Sequence, residues 1–356
     1  MPGHDTAWMP GRYGEEVPVL PDGMVRKMPI EIDQAQCLRV AEILAQVEIP
    51  RDREEHQVLG FSSEQLANFY FLTVAICHQT QGLRGTVDGR VVRGWDYLSN
   101  KLQAAVMLDR TLLDPEIWAS MTTKVLGALL ADSHIGETLS DVAGRTALVQ
   151  NLGTTMRAER WDSVAQLYRS AGSRVKTGSP NLLGLIGRFH AYRDPVFKKT
   201  YFFLGLMANS GLWQYVDPES VGAPVDYHEV RGHLRLGTVA IHDPQLRDKL
   251  FNGEPVSEQE DIAIRSAVHG AIARISEMHG SLNPMEFHYL FWNVFRSICL
   301  RGQPLCHLAQ PSALPARYTH LLQCESGDER CPFVAICPSA DLDVRYVEQQ
   351  FQTDWY

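Results

Sequence analysis

Apolar residues recur at three- and four-residue spacing through most of this 356-residue chain, the period of a helix buried along one face. The pattern is clear in "DQAQCLRVAEILAQV", "SSEQLANFYFLTVAICHQT", "WDYLSNKLQAAVMLD", "LSDVAGRTALVQNLG", "WDSVAQLYRSAG", "DPVFKKTYFFLGLMANSGL" and "SEQEDIAIRSAVHGAIARISEMHG". Several of these begin at a Ser or Asp cap and several end near glycine, the usual start and stop signals. Alternation is scarce, and only "LRGTVDGRVVRGWDYL" suggests a hairpin, turning at Asp88-Gly89. The pattern predicts an all-α fold with two helical lobes around a cleft. A Pro- and Gly-rich arm is expected over 1–30, the helical body over 31–303 and a cysteine-rich tail over 304–356.

Composition changes this picture little. The chain is 45% hydrophobic and 21% charged, within the ordinary globular range. No apolar run approaches the roughly 20 residues of a membrane span, and the N-terminus has no basic-then-apolar leader. A cytoplasmic protein with no membrane partner is expected. The net charge of −9 argues against a generally basic nucleic-acid binder. Its distribution is uneven, however: residues 157–199 carry nine basic residues against three acidic. That excess is either a solvated face or a footprint for phosphates, with Arg174, Lys176, Arg188 and Lys198 as its candidate contacts.

The chemistry-bearing residues converge on two stretches. In "DPVFKKTYFFLGLMANSG", Asp194 and Pro195 read as N-cap and first helical residue, and Lys199 shares a face with Phe203. In "APVDYHEVRGHLRLG", Asp226 and Glu229 have the spacing of a capping box. Taken locally, Asp226 is a helix cap and Lys199 a surface lysine.

Together these segments resemble the helix-hairpin-helix DNA glycosylases. In that superfamily a lysine-bearing helix precedes a Val-Asp-x-His-x-x-Arg motif with Leu-Gly beyond it. The archaeal 8-oxoguanine glycosylases, with Lys-Thr plus an aromatic and then Pro-Val-Asp-Tyr-Arg, are the nearest in pattern. "LANFYFLTVAICHQTQ", "RGWDYLSNKL" and "NPMEFHYLFWNVFRSICLRG" follow the family order from Phe61 to Gly302. His228 stands where the archaeal pattern has arginine. The resemblance implies a monomeric enzyme that flips a modified base out of double-stranded DNA and cuts its N-glycosidic bond. Asp226 would stabilise the sugar cation. Lys199 would attack C1′ and form a Schiff base, its pKa lowered by aromatic neighbours; Lys198 is the rival. Phe203, Trp95 and Trp292 would stack on the base and Gln79 or His78 would read its edge, though each aromatic could equally be core. The implied substrate is an oxidised purine or a bulky base, such as the glucosylated phage cytosine excised by defence-related members. A second, more distant resemblance is to queuosine salvage proteins, echoed by "DIAIRSAVHGAIARI" and "MEFHYLFW". It implies hydrolysis of a free nucleotide or nucleoside instead.

Seven cysteines are present. Cys37, Cys77 and Cys299 lie in apolar runs and read as core. Cys306, Cys324, Cys331 and Cys337 cluster in the tail, which favours a metal over disulfides in a cytosolic protein. Cys-x6-Cys-x5-Cys contains two of the spacings of the endonuclease III iron–sulfur loop. That likeness implies a [4Fe–4S] cluster, with zinc as the alternative.

Overall fold

The computed structural model describes residues 29–50, 60–80, 82–307, 313–325 and 328–356, with side chains omitted at 323–325 and 328. Most of the arm expected over 1–30 therefore lies outside the described residues. Helices dominate, and the chain crosses from one apolar core to a second and back. Strand β1 (Ile30–Ile32) and α1 (Gln34–Leu44) begin in what proves to be the second core. The first core is built by α2 (Ser63–Ala75), the hairpin β2 (Arg84–Val87) and β3 (Arg90–Arg93), α3 (Gly94–Leu108), α4 (Pro115–Ala119), α5 (Thr123–Leu130), α6 (Val142–Glu159), α7 (Val164–Ser170), α8 (Leu182–Ile186) and α9 (Lys198–Asn209). The second adds α10 (Tyr227–Leu236), β4 (Val239–Ile241), α11 (Pro244–Asn252), α12 (Glu258–His279) and α13 (Pro284–Ser297); a short antiparallel pair, β5 (Gln323–Glu325) and β6 (Asp328–Arg330), follows in the tail. Among the described residues no helix is long and apolar enough to cross a membrane.

Local chemistry accounts for many of these boundaries. Side-chain caps with a reciprocal Glu or Gln open α2 (Ser62/Gln65), α10 (Asp226/Glu229), α12 (Ser257/Glu260) and α13 (Asn283/Glu286), satisfying backbone N–H groups that a helix start leaves orphaned. The hairpin turns at Asp88 and Gly89, both at positive φ, as the Asp-Gly pair predicts. Strand β1 pairs antiparallel with β4, Ile30 facing Ile241, which ties the start of the described chain to the far half of the sequence.

Two expectations change. The helix carrying the two lysines does not start at Asp194 but at Lys198, with Phe197 in left-handed geometry before it. The Asp194 carboxylate still accepts from the Val196 and Lys198 N–H groups, but it also meets the buried Arg265 guanidinium at 2.8 and 2.9 Å. Nor does packing break at residue 304: Leu314, Tyr318, Leu321 and Phe333 belong to the second core, and the Gln79 N–H donates to the Tyr356 carbonyl. The tail is a strap spanning both lobes.

Arg265 on α12 joins the halves. It is fully buried and also bonds Asp261, whose other oxygen accepts from Tyr356 and Gln349. Burial opposes its charge, but Asp194, Asp261 and Tyr356 raise its pKa above the ordinary value. Truncating one member of a buried ion network strands the others and costs about 3–5 kcal/mol. Arg265→Ala is expected to lose about that much stability, measured by urea unfolding; a loss below about 1 kcal/mol would show that the network does not join the lobes.

Candidate functional site

A cleft of about 1540 Å³ runs between the lobes, walled by Trp95, Lys198 and Phe202 from one side and Asp226, His228 and Trp292 from the other. Its position follows from two helix starts that face each other. One is α10, capped by Asp226: Oδ1 accepts from the His228 N–H at 2.7 Å, leaving Oδ2 to accept from the Trp292 indole N–H at 3.1 Å. The other is α9, whose first residue, Lys198, reaches the cleft.

Close helix crossing sets the Asp226–Trp292 contact. Gly232, mid-way along α10, leaves no room for a side chain: an added Cβ would lie 2.1 Å from the Phe295 ring on α13. Trp292 sits one turn before Phe295, so the glycine lets α13 present its indole to the cap. The Arg296 guanidinium covers the other side of the indole, 4.0 Å from its ring.

Asp226 is only 9% exposed. Burial alone would raise its pKa, but His228, Lys198 and His288 charges and the Glu229 N–H leave it below the ordinary carboxylate value. Burial pushes His228 down to about 4, so it is neutral at pH 7. Beneath Asp226, Glu229 is fully buried, and its Oε1 lies 2.9 Å from His288 Nδ1. Burial raises the Glu229 pKa. His228 Nδ1 faces the Arg231 guanidinium at 2.8 Å. Since guanidinium only donates, Nδ1 accepts and Nε2 carries the proton.

The adjacent lysines diverge. Successive helical residues point about 100° apart, and only Lys198 lines the cleft. Its Nζ lies 4.9 Å from the Phe202 ring centre and 3.7 Å from Cys77 Sγ. Lys199, expected in the cleft, is instead 0% exposed, its Nζ donating to the Ala75 carbonyl at 2.5 Å with His78 Nδ1 at 3.4 Å. Ala75 ends α2, so this lysine satisfies an orphaned carbonyl at a negative helix terminus. Arg145 does the same for Ile76 and His78.

The other expected contacts divide in the same way. Trp95, Trp292 and Gln79 line the cleft, and Trp95 meets Phe202 edge-on at 4.8 Å. Phe203 does not: it is buried among Phe71, Tyr192 and Trp213, and Phe202, one residue earlier, holds the cleft position. His78 is also buried, its pKa driven far down by desolvation and by Lys199 and Arg145. Arg174, Lys176 and Arg188 are exposed but outside the cleft lining, and Arg188 is paired with Glu159 at 2.5 Å. The arginines that do line it, Arg90, Arg93, Arg231, Arg296, Arg301 and Arg317, come from the hairpin and the far half of the chain. No short charge window could have found them.

Cys306, Cys331 and Cys337 are half-buried near one another, whereas the Cys324 side chain lies outside the described residues. Among the described residues no three Cys, His, Asp or Glu side chains are grouped so as to hold a single metal ion. Comparison with known proteins adds no assignment: no family model matches the chain, and no curated protein matches it significantly.

Desolvation lowers the Lys199 pKa from 10.5 to about 7, which gives a signed prediction. Between pH 7 and 10.5 the unfolded chain holds this proton and the folded one does not, so the lysine destabilises the fold there less and less as pH rises. Below pH 7 its cost is fully present. Lys199→Met should remove a stability slope of about 1.4 kcal/mol per pH unit, measured by urea unfolding from pH 7.5 to 9.5. Equal slopes in both proteins would refute this assignment.

Proposed function

We propose that the protein is a DNA N-glycosylase that draws a modified base into the cleft and cleaves its bond to C1′ beside Asp226. The observation that carries this reading is a buried carboxylate, its pKa kept below the ordinary value by surrounding charges and its orientation set by an indole N–H, lining an aromatic-walled cleft together with a lysine. Breaking an N-glycosidic bond develops positive charge on the sugar, and a fixed carboxylate in a low-dielectric site stabilises that charge.

Lys198 takes the role of the attacking amine. Once it has lost a proton to solvent, its Nζ bonds to C1′ while the C1′–N pair leaves with the base. The departing base takes up a proton from solvent, while neutral His228 offers its Nε2–H as a hydrogen-bond donor within the cleft. Transfer of the second Nζ proton to the ring oxygen O4′, as the C1′–O4′ bond breaks, gives a protonated Schiff base, which makes lyase activity possible. Trp95, Phe202 and Trp292 offer flat surfaces to a flipped base.

Size favours DNA over a free nucleoside. Small-molecule pockets occupy roughly 300–1,000 Å³, and this cleft is larger and lined by six arginines. That basic lining suits a phosphate backbone within a molecule of net charge −9. The cleft also admits a bulky base, such as a glycosylated cytosine, as readily as an oxidised purine. The net charge is the observation that favours the second reading, a hydrolase of a free nucleotide.

The test incubates the protein with duplexes carrying different modified bases and, in parallel, with the matching nucleosides and nucleotides, and measures released base. Base release from DNA is expected, reduced about 10²-fold or more in Asp226→Asn, as when a key electrostatic group is removed from a transition state. Cleavage of the free compounds but not DNA would establish the second reading. Cleavage of neither would overturn both.

A further inference from the structure

Four thiols lie on two loops joined by a backbone hydrogen bond, and one of them is outside the cysteine-rich tail. Cys299 and Cys306 lie on the loop after α13, which the Leu305 N–H closes by donating to the Ile298 carbonyl at 2.8 Å. Cys331 and Cys337 bracket a tight turn whose first N–H, that of Cys331, donates to the Cys306 carbonyl at 2.9 Å. Arg235 touches both pairs: its Nη1 is 3.5 Å from Cys299 Sγ, and its carbonyl is 3.3 Å from Cys337 Sγ.

All four are half-buried and free of disulfides.

Arg235 is 2% exposed. Among the described residues its guanidinium donates to the Tyr346, Leu300 and Arg301 carbonyls and to Cys299 Sγ, with no carboxylate among these acceptors. A buried cation without a counter-ion is costly, and an anionic group among the four thiols would supply one.

Four thiolates are a donor set for a [4Fe–4S] cubane, with zinc as the alternative that an iron and sulfide count separates from it. We propose that Cys299, Cys306, Cys331 and Cys337 are the four thiolate ligands of a [4Fe–4S] cluster, with Cys299 rather than Cys324 completing the set. Each thiol loses its proton as its Fe–S bond forms. The cluster clips the end of α13 to the tail. The Cys299 carbonyl also accepts from Arg231 Nε at 2.7 Å, and Arg231 holds His228, so the cluster has a positioning role for the cleft. This inference does not depend on the substrate.

The test is anaerobic purification of the full chain, with iron and acid-labile sulfide counted and absorbance read near 400 nm. About four irons and four sulfides per chain and a brown colour are expected. Cys324→Ser should keep both, and Cys299→Ser should lose most of the iron and the absorbance. Because Cys299→Ser could also misfold, Cys37→Ser, at a buried cysteine outside the set, controls for general loss of folding and should keep its iron. A colourless protein with one zinc, a protein without metal, retention of the cluster by Cys299→Ser, or its loss from Cys324→Ser or Cys37→Ser would each overturn the assignment.

Discussion

The buried contact between Asp194 and Arg265 is the interaction on which the site depends. Asp194 belongs to the segment leading into α9, and Arg265 to α12 in the opposite lobe. One carboxylate therefore joins the lobes and caps the Lys198 N–H, fixing where α9 begins. A start one residue earlier or later would rotate the helix by about 100° and move a different side chain to the cleft. Ions this deeply buried contribute little net stability compared with apolar packing. Their effect is to make one arrangement of the lobes much better than its neighbours, since displacing either partner leaves a charge in a dry interior.

From that joint the geometry passes to the chemistry through backbone and cap. Asp226 combines two roles that do not compete. Oδ1 satisfies the start of α10, while Oδ2, held by the Trp292 indole, faces the cleft. The second layer is unusually rich in charge for a buried region: Glu229 with His288, Arg231 with Glu348, and Arg235 among the thiols. Each holds an element that carries a cleft residue, so the site is supported by polar contacts below it as much as by the apolar cores on either side.

Much of this was legible in the sequence. The three- and four-residue periodicity located the long helices, and the Asp226–Glu229 spacing announced a capping box that the structure contains. The Asp-Gly pair placed the hairpin turn. Helical phase was less accessible. Asp194 has the local form of an N-cap, but it is shared with Arg265, 71 residues away, and the helix starts at Lys198. That offset is why Phe202 and Lys198, rather than Phe203 and Lys199, face the cleft. Cys299 was obscured for a related reason: it ends an apolar run, and only the fold of residues 299–306 against 331–337 reveals its companions. Charge windows along the chain pointed to residues 157–199, whereas the arginines lining the cleft are gathered from the hairpin, α10, α13 and the loop after it, and the tail.

The proposed chemistry requires Lys198 and Asp226 to act as a pair across the cleft. Its most direct measurement is to reduce the protein with borohydride while it processes a modified duplex, digest the covalent complex and locate the sugar remnant by mass spectrometry. The account predicts the adduct on Lys198, with none formed by Asp226→Asn. An adduct on Lys199, or no adduct while base is released at full rate, would contradict it.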